Sequence, residues 1–126
     1  MKTIKQKYVI NVPVGKVLQA ITDPKEIEGW GAGPAKMDYK VGTKFSLWGG
    51  EVYGTNTKVI ENKLLEQDWS ESDWNSPSKV RFTLYEENGK TTVELFHTDV
   101  PDSDVNDIDD GWHRYYLGPL KKYLEK

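Results

Sequence analysis

Residues Ser103 to Glu125, SDVNDIDDGWHRYYLGPLKKYLE, decide how the rest of the chain is read. At about 100° per residue, Val105, Ile108, Tyr115, Tyr116, Pro119, Leu120 and Tyr123 fall within an arc of roughly 140° centred near Trp112. Asp107, Asp110, Arg114, Gly118, Lys121 and Lys122 take the opposite side, so the stretch predicts a helix with one buried and one wet face. Acidic residues gather at its start (Asp102, Asp104, Asp107, Asp109, Asp110) and lysines at its end (Lys121, Lys122, Lys126), as the helix dipole favours. Pro119 cannot donate to the Tyr115 carbonyl, and with Gly118 before it the helix is expected to bend there.

A helix with one apolar face needs something to lie on, and the preceding residues supply strands. Ile4, Tyr8, Ile10 and Val12 alternate with polar residues, with Gln6 interrupting the inward series, and predict a first strand over 3–12. Pro13 opens a helix carrying Val14, Val17, Leu18 and Ile21, and Pro24 stops it. Asp23 as N-cap, Pro24 at the first helical position and Glu26 in a capping-box-like pair start a second short helix that buries Ile27 and Trp30. Gly29, Gly31 and Gly33 then follow a helix and lead toward strands. That is the wrong context for a phosphate-binding loop, so they predict a plain turn. Strands are expected at 35–40, 43–48, 51–60, 64–72, 78–87 and 91–98, punctuated by Gly49-Gly50, Glu61-Asn62-Lys63 and Asn88-Gly89. The fold class is α+β: one domain over residues 1–126, with a curved antiparallel sheet wrapping the last helix.

Composition closes several functional classes. The net charge of −3 and the scattered Lys and Arg residues lack the footprint of a nucleic-acid binder. With no cysteine there is no disulfide, thiolate chemistry or Cys-type zinc site. The amino-terminal MKTIKQKYVINV has no apolar core of a signal peptide, and no run reaches membrane-spanning length, so a cytoplasmic location with no membrane contact is expected. Aromatic residues make up 12% of the chain and include five Trp, which serve either a bulky core or exposed contacts.

The order strand, helix pair, meander and terminal helix resembles the helix-grip fold of START lipid-transfer domains and the birch-pollen allergen. PVxxVxxAITDP at Pro13 to Pro24, the strand start Gly42-Thr43-Lys44-Phe45, Gly49-Gly50 with Gly54, and GWxRYY at Gly111 to Tyr116 carry a narrower resemblance, helped by the Trp69 and Trp74 pair. They are similar to the C-terminal domain of the activator of the ninety-kilodalton heat-shock chaperone's ATPase and to its free-standing homologues. That resemblance implies a chaperone-contacting domain, expected here without the activator's N-terminal domain. The wider superfamily implies carriers of hydrophobic ligands and some cyclases.

Candidate sites follow from where aromatics and histidines should sit. Trp112, Tyr115, Tyr116, His97 and Trp30 either line a ligand cavity between sheet and helix or pack as ordinary core. His97 shares the inward alternation of Val93 and Leu95; it is either a hydrogen-bonded strut or an acid–base group oriented by Asp99 or Asp23. His113 projects to the helix flank, and no triad or metal cluster assembles. Asp102, Asp104, Asn106 and Asp110 alternate like calcium ligands, but Asp107 stands where the loop needs glycine and His113 where it needs glutamate, so helix capping is the expected role. Trp69, Trp74, Trp48 and Tyr53 are either exposed partner contacts or part of a loop folded over its own Trp. The function expected is a non-enzymatic interaction module for the ninety-kilodalton chaperone, with no cofactor and no metal. The alternative is a small protein holding a hydrophobic metabolite, and a third reading makes His97 a catalytic base.

Overall fold

The computed structural model describes residues 2–71, 74 and 76–126. Strand β1 (Lys2–Ile10) ends two residues before the alternation does. There Val12 N–H turns back to the Ile10 carbonyl and Asn11 N–H donates to the Glu125 carboxylate. Helices α1 (Val14–Thr22) and α2 (Pro24–Trp30) follow. Asp23 caps α2 by accepting from Lys25 N–H at 2.9 Å, with Pro24 in the first turn. The other half of the predicted capping pair does not form. Asp23 N–H is already donated to the Gln19 carbonyl of α1, so Glu26 is left to accept from the Tyr123 hydroxyl at 2.6 Å. Gly31, at φ 110°, closes α2 in the left-handed conformation and hands its N–H to the Ile27 and Glu28 carbonyls, which is the plain turn expected of this loop.

The meander consists of β2 (Lys44–Leu47), β3 (Val52–Ile60), β4 (Leu64–Glu71), β5 (Ser78–Glu87) and β6 (Lys90–Val100). With β1 these form one antiparallel six-stranded sheet in the order β1-β6-β5-β4-β3-β2. The strand predicted at 35–40 is not formed; that segment contributes a single bridge, Lys36 to Ser46. Its donors and acceptors are drawn off by side chains. Asp38 accepts from Lys40 N–H, and the buried Asn56 amide donates to the Asp38 and Lys40 carbonyls, an alternative to the ladder that short polar side chains commonly offer. Asn88-Gly89 makes the expected two-residue hairpin turn with both residues at positive φ. Gly49-Gly50 is not that turn: Trp48, Gly49 and Gly50 all take positive φ in a wider connection between β2 and β3.

On the concave face of the sheet lies a helical run made of α3 (Val105–Gly111), a π-turn over Trp112–Leu117 and α4 (Gly118–Leu124). The bend expected near Pro119 takes the form of this π-turn. Gly118 N–H reaches back five residues to the His113 carbonyl, and Pro119 falls in the first turn of a new register, where its missing N–H is tolerated. A π-turn holds more residues per turn, so each advances by less than 100°. Tyr115, inside the predicted buried arc, therefore falls short of it and is 60% exposed. Leu117, roughly 140° from Trp112 in a regular helix, is rotated inward and becomes fully buried. Leu117 and Leu120 pack with Phe82, Leu65 and Leu95 of the sheet and Val17 and Ile21 of α1 in one core.

Gly118 admits the π-turn because a Cβ there would stand 2.3 Å from the His113 carbonyl oxygen. Helix propensity alone would have Gly118→Ala stabilise the protein by about 0.5–1 kcal/mol. The expected outcome is the opposite, destabilisation by about 1–3 kcal/mol in urea unfolding, because the backbone must shift. A stabilised variant would mean a regular helix at this place.

Candidate functional site

The inner ends of β3 and β4, the 48–50 turn, Trp74 and the first half of the helical run enclose an open cleft of about 650 Å³. That volume is in the range of small-molecule sites. Four of the five tryptophans line it: Trp48, Trp69, Trp74 and Trp112. Tyr115 and Tyr116 complete the ring lining, and Glu51, Glu71 and Asp107 supply its carboxylates.

Each ring is held by an identifiable neighbour. Trp112 is buried at the start of the π-turn, edge-on to Trp69 at 4.3 Å between ring centres and tilted against Tyr116 at 4.7 Å. Tyr116 stacks on Phe82 from below. Trp74 donates its indole N–H to the Asp104 carboxylate at 2.9 Å, tying the segment after β4 to the beginning of α3. That bond, rather than helix capping, is what Asp104 does; its side chain makes no cap contact. Among the other acids of this stretch, Asp110 pairs with Arg114. No cluster of three or more metal-ligating side chains occurs among the described residues. Trp48 has φ 49°, a left-handed conformation that costs a non-glycine residue roughly 1–2 kcal/mol, and from it the indole reaches the cleft beside Tyr116.

His97 is the polar centre of the wall. It is 1% exposed, and its Nδ1 accepts from the Trp112 indole N–H at 2.9 Å. The ring proton is thereby placed on Nε2, which donates to Ser78 Oγ at 2.7 Å, and the Ser78 hydroxyl donates in turn to the Trp69 carbonyl, also at 2.7 Å. Neither Asp99 nor Asp23 orients the imidazole. Asp23 is engaged at the α2 cap, and Asp99 lies at positive φ beside the register shift between β1 and β6. Burial pushes the His97 pKa down to about 3, so the ring is neutral at physiological pH with both nitrogens occupied. The phenol of Tyr116, fully buried, is pushed up from its usual value for the same reason. The Trp69 indole N–H is buried without an acceptor among the described residues, a donor that water or a ligand oxygen would satisfy.

The structure thus redistributes the residues that the sequence singled out. Trp112, Tyr115, Tyr116 and His97 line one cleft, and Trp69, Trp74 and Trp48, read as either surface contacts or a loop folded over its own Trp, line the same cleft. Trp30 does not reach it: the ring packs behind Tyr116 at 4.6 Å and its N–H is satisfied by the Ala20 carbonyl. Tyr53 is 44% exposed, one residue after the inward Val52 and hence on the other face of the sheet. Ser78, Glu51, Glu71 and Asp107 were not identified from sequence. Ser78 had one available signal: it stands two residues before Val80 on the same inward alternation, and because Val80 pairs with His97 in the sheet, Ser78 lies diagonal to that histidine.

Comparison with known proteins agrees with this architecture. The family model described as "Activator of Hsp90 ATPase homolog 1-like protein" matches residues 11–125. An uncharacterized protein of Schizosaccharomyces pombe is 26% identical over 120 residues, covering 94% of this chain and 36% of that protein. The activator of 90 kDa heat shock protein ATPase homolog of Dictyostelium discoideum is 24% identical over 123 residues, covering 95% of this chain and 32% of its own length. The chain therefore spans about a third of these relatives. The crystal structure of an HSP90 activator from Plasmodium falciparum superposes with a TM-score of 0.91 at 24% identity, covering 98% of this chain and 96% of that one, and shares the fold.

The His97 network has a pH signature. An unfolded histidine titrates near 6.5 and the folded one near 3, so between these values the unfolded state binds more protons and stability falls as pH drops. At pH 5 the loss from this group should be about 2 kcal/mol relative to pH 7. His97→Gln should be less stable at pH 7 yet show a flatter dependence of unfolding free energy on pH between 7 and 5. Parallel curves for the two proteins would show that His97 is not buried in its neutral form.

Proposed function

This chain belongs to the Activator of Hsp90 ATPase homolog 1-like family, and on that premise we propose that it is a binding module that docks on a 90-kDa heat-shock chaperone and modulates its ATPase. The observation that carries this reading is the match over residues 11–125, nearly the entire chain, together with a relative named for that activity. Because the chain spans about a third of such relatives, the proposal concerns docking and modulation by this domain. The mechanism is conformational: a partner that binds one state of an ATPase better than another shifts the equilibrium by that difference in affinity and no more. Tyr53, exposed on the sheet face opposite the cleft, is the first candidate for the contact surface.

A second reading is supported by the cleft itself. Its 650 Å³ volume, its wall of aromatic rings and the unpartnered Trp69 N–H suit a small molecule with an apolar body. On this reading the protein binds and carries rather than transforms, because the His97 nitrogens are committed to Trp112 and Ser78.

Steady-state ATP turnover of the chaperone from the same organism, with and without this protein, tests the first reading, alongside a binding titration in a non-hydrolysable ATP analogue. Saturable binding with a changed turnover rate is expected. Tyr53→Ala should weaken binding at least fivefold while leaving stability within about 0.5 kcal/mol of the parent. Absence of binding by the folded protein would overturn the reading.

A further inference from the structure

The charges around the cleft are one-sided. Its described lining contains three carboxylates, Glu51 beside the 48–50 turn, Glu71 at the end of β4 and Asp107 on α3, and no lysine or arginine. The chain has 17 basic residues, so their absence from this wall is not a matter of supply. His97 adds no positive charge, since burial keeps it neutral. An anionic head group entering here would meet the carboxylates of Glu51, Glu71 and Asp107 and no lysine or arginine among the described lining residues, which disfavours fatty acids and phosphorylated ligands.

The rings favour a cation independently of the carboxylates. Indole is the strongest of the side-chain π-donors toward a positive charge, and four indoles with two phenols line a single opening. The rings are held in place rather than left to adapt: Trp112, almost fully buried, is set by its bond to His97, Trp74 by its bond to Asp104, and Trp48 by a strained turn. Groups fixed before binding lose little freedom when a ligand arrives.

We propose that the cleft takes an amphiphilic organic cation, a quaternary or protonated amine on an apolar body, with its charged end among Glu51, Glu71 and Asp107 and its body against the tryptophans. This inference rests on the ligand-binding reading above and specifies the ligand class. A strongly hydrated inorganic cation would gain nothing from the aromatic wall, and a neutral hydrocarbon nothing from the acids.

The test is a matched series, octyltrimethylammonium, octanol and octanoate, titrated calorimetrically below their aggregation thresholds at low and moderate salt. In parallel, the indole N–H resonances are followed by NMR. The expected result is that the ammonium compound binds at least tenfold more tightly than octanol and that octanoate binds least. The ammonium compound should move the Trp48, Trp69, Trp74 and Trp112 signals and leave that of Trp30 in place. The triple variant E51Q/E71Q/D107N should lower affinity for the ammonium compound at least tenfold with octanol affinity unchanged. Should the triple variant fail to fold, Asp107→Asn on the exposed side of α3 is expected to give a loss of about threefold. Equal binding of all three compounds, or tightest binding of octanoate, would overturn the charge preference while leaving a ligand site intact. Failure of all three to bind a folded protein would overturn both the inference and the ligand-binding reading.

Discussion

The arrangement of side chains on the concave face of the sheet depends on the phase of the last helical run, and the π-turn over Trp112–Leu117 sets that phase. Gly118 N–H donates to the His113 carbonyl across five residues, closing a π-turn in the middle of an otherwise α-helical run. The residue that makes this approach sterically available and the residue that cannot continue an α-helix stand side by side as Gly118 and Pro119. At the start of the turn Trp112 meets the sheet; Leu117 at its end and Leu120 beyond it do so as well. Were the run a regular helix, Leu117 would face solvent and Tyr115 would be driven inward. The cleft owes its Tyr115 edge to that rotation, in keeping with the frequent placement of π-turns at functional sites.

Beneath the cleft, specificity of packing comes from a few buried polar groups whose hydrogen bonds are complete. The relay from Trp112 to His97 to Ser78 to the Trp69 carbonyl crosses from the helical run through β6 and β5 to β4. It assigns the histidine tautomer, fixes the Trp112 indole and ties down the Trp69 backbone. A second pair, Gln67 donating to Asn56 at 3.0 Å, joins β4 to β3, and Asn56 then holds the 35–43 segment in place of a strand. Such contacts contribute only about 1 kcal/mol each, but leaving one partner buried and alone costs more, so they select one arrangement over its neighbours. This accounts for a cleft with a defined shape on an otherwise ordinary aliphatic core.

The cleft joins aromatic walls to the carboxylates of Glu51, Glu71 and Asp107. The imidazole that could move protons is neutral and doubly engaged, and the tyrosine beside it is held far above its ordinary titration range. Membership of a family whose relatives include chaperone ATPase activators is compatible with this, since docking and ligand binding can use opposite faces of one sheet. Tyr53 and the cleft lie on such opposite faces.

Much of the fold was legible in local pattern. Period-two alternation marked β1, β5 and β6, turn signals set off β2, β3 and β4, and the pair Asp23-Pro24 marked the junction of two helices, because these signals are short-range and steric. The strand expected at 35–40 failed because its pattern was overruled by Asp38 and by Asn56, the latter 16 to 18 residues away from its acceptors. At the site, Trp112, Tyr116 and His97 could be placed inward from periodicity, whereas the assignment of Trp48, Trp69 and Trp74 could not, since an indole in a turn or at a strand end has no period to read. By itself the sequence determined the element order, the antiparallel meander and the amphipathic last helix, because each follows from residue spacing. Only the tertiary structure decided that two groups of aromatics are one cleft, that Trp30 lies behind it and that three acids rim it, because those depend on strand register and on the π-turn that shifts the helical phase.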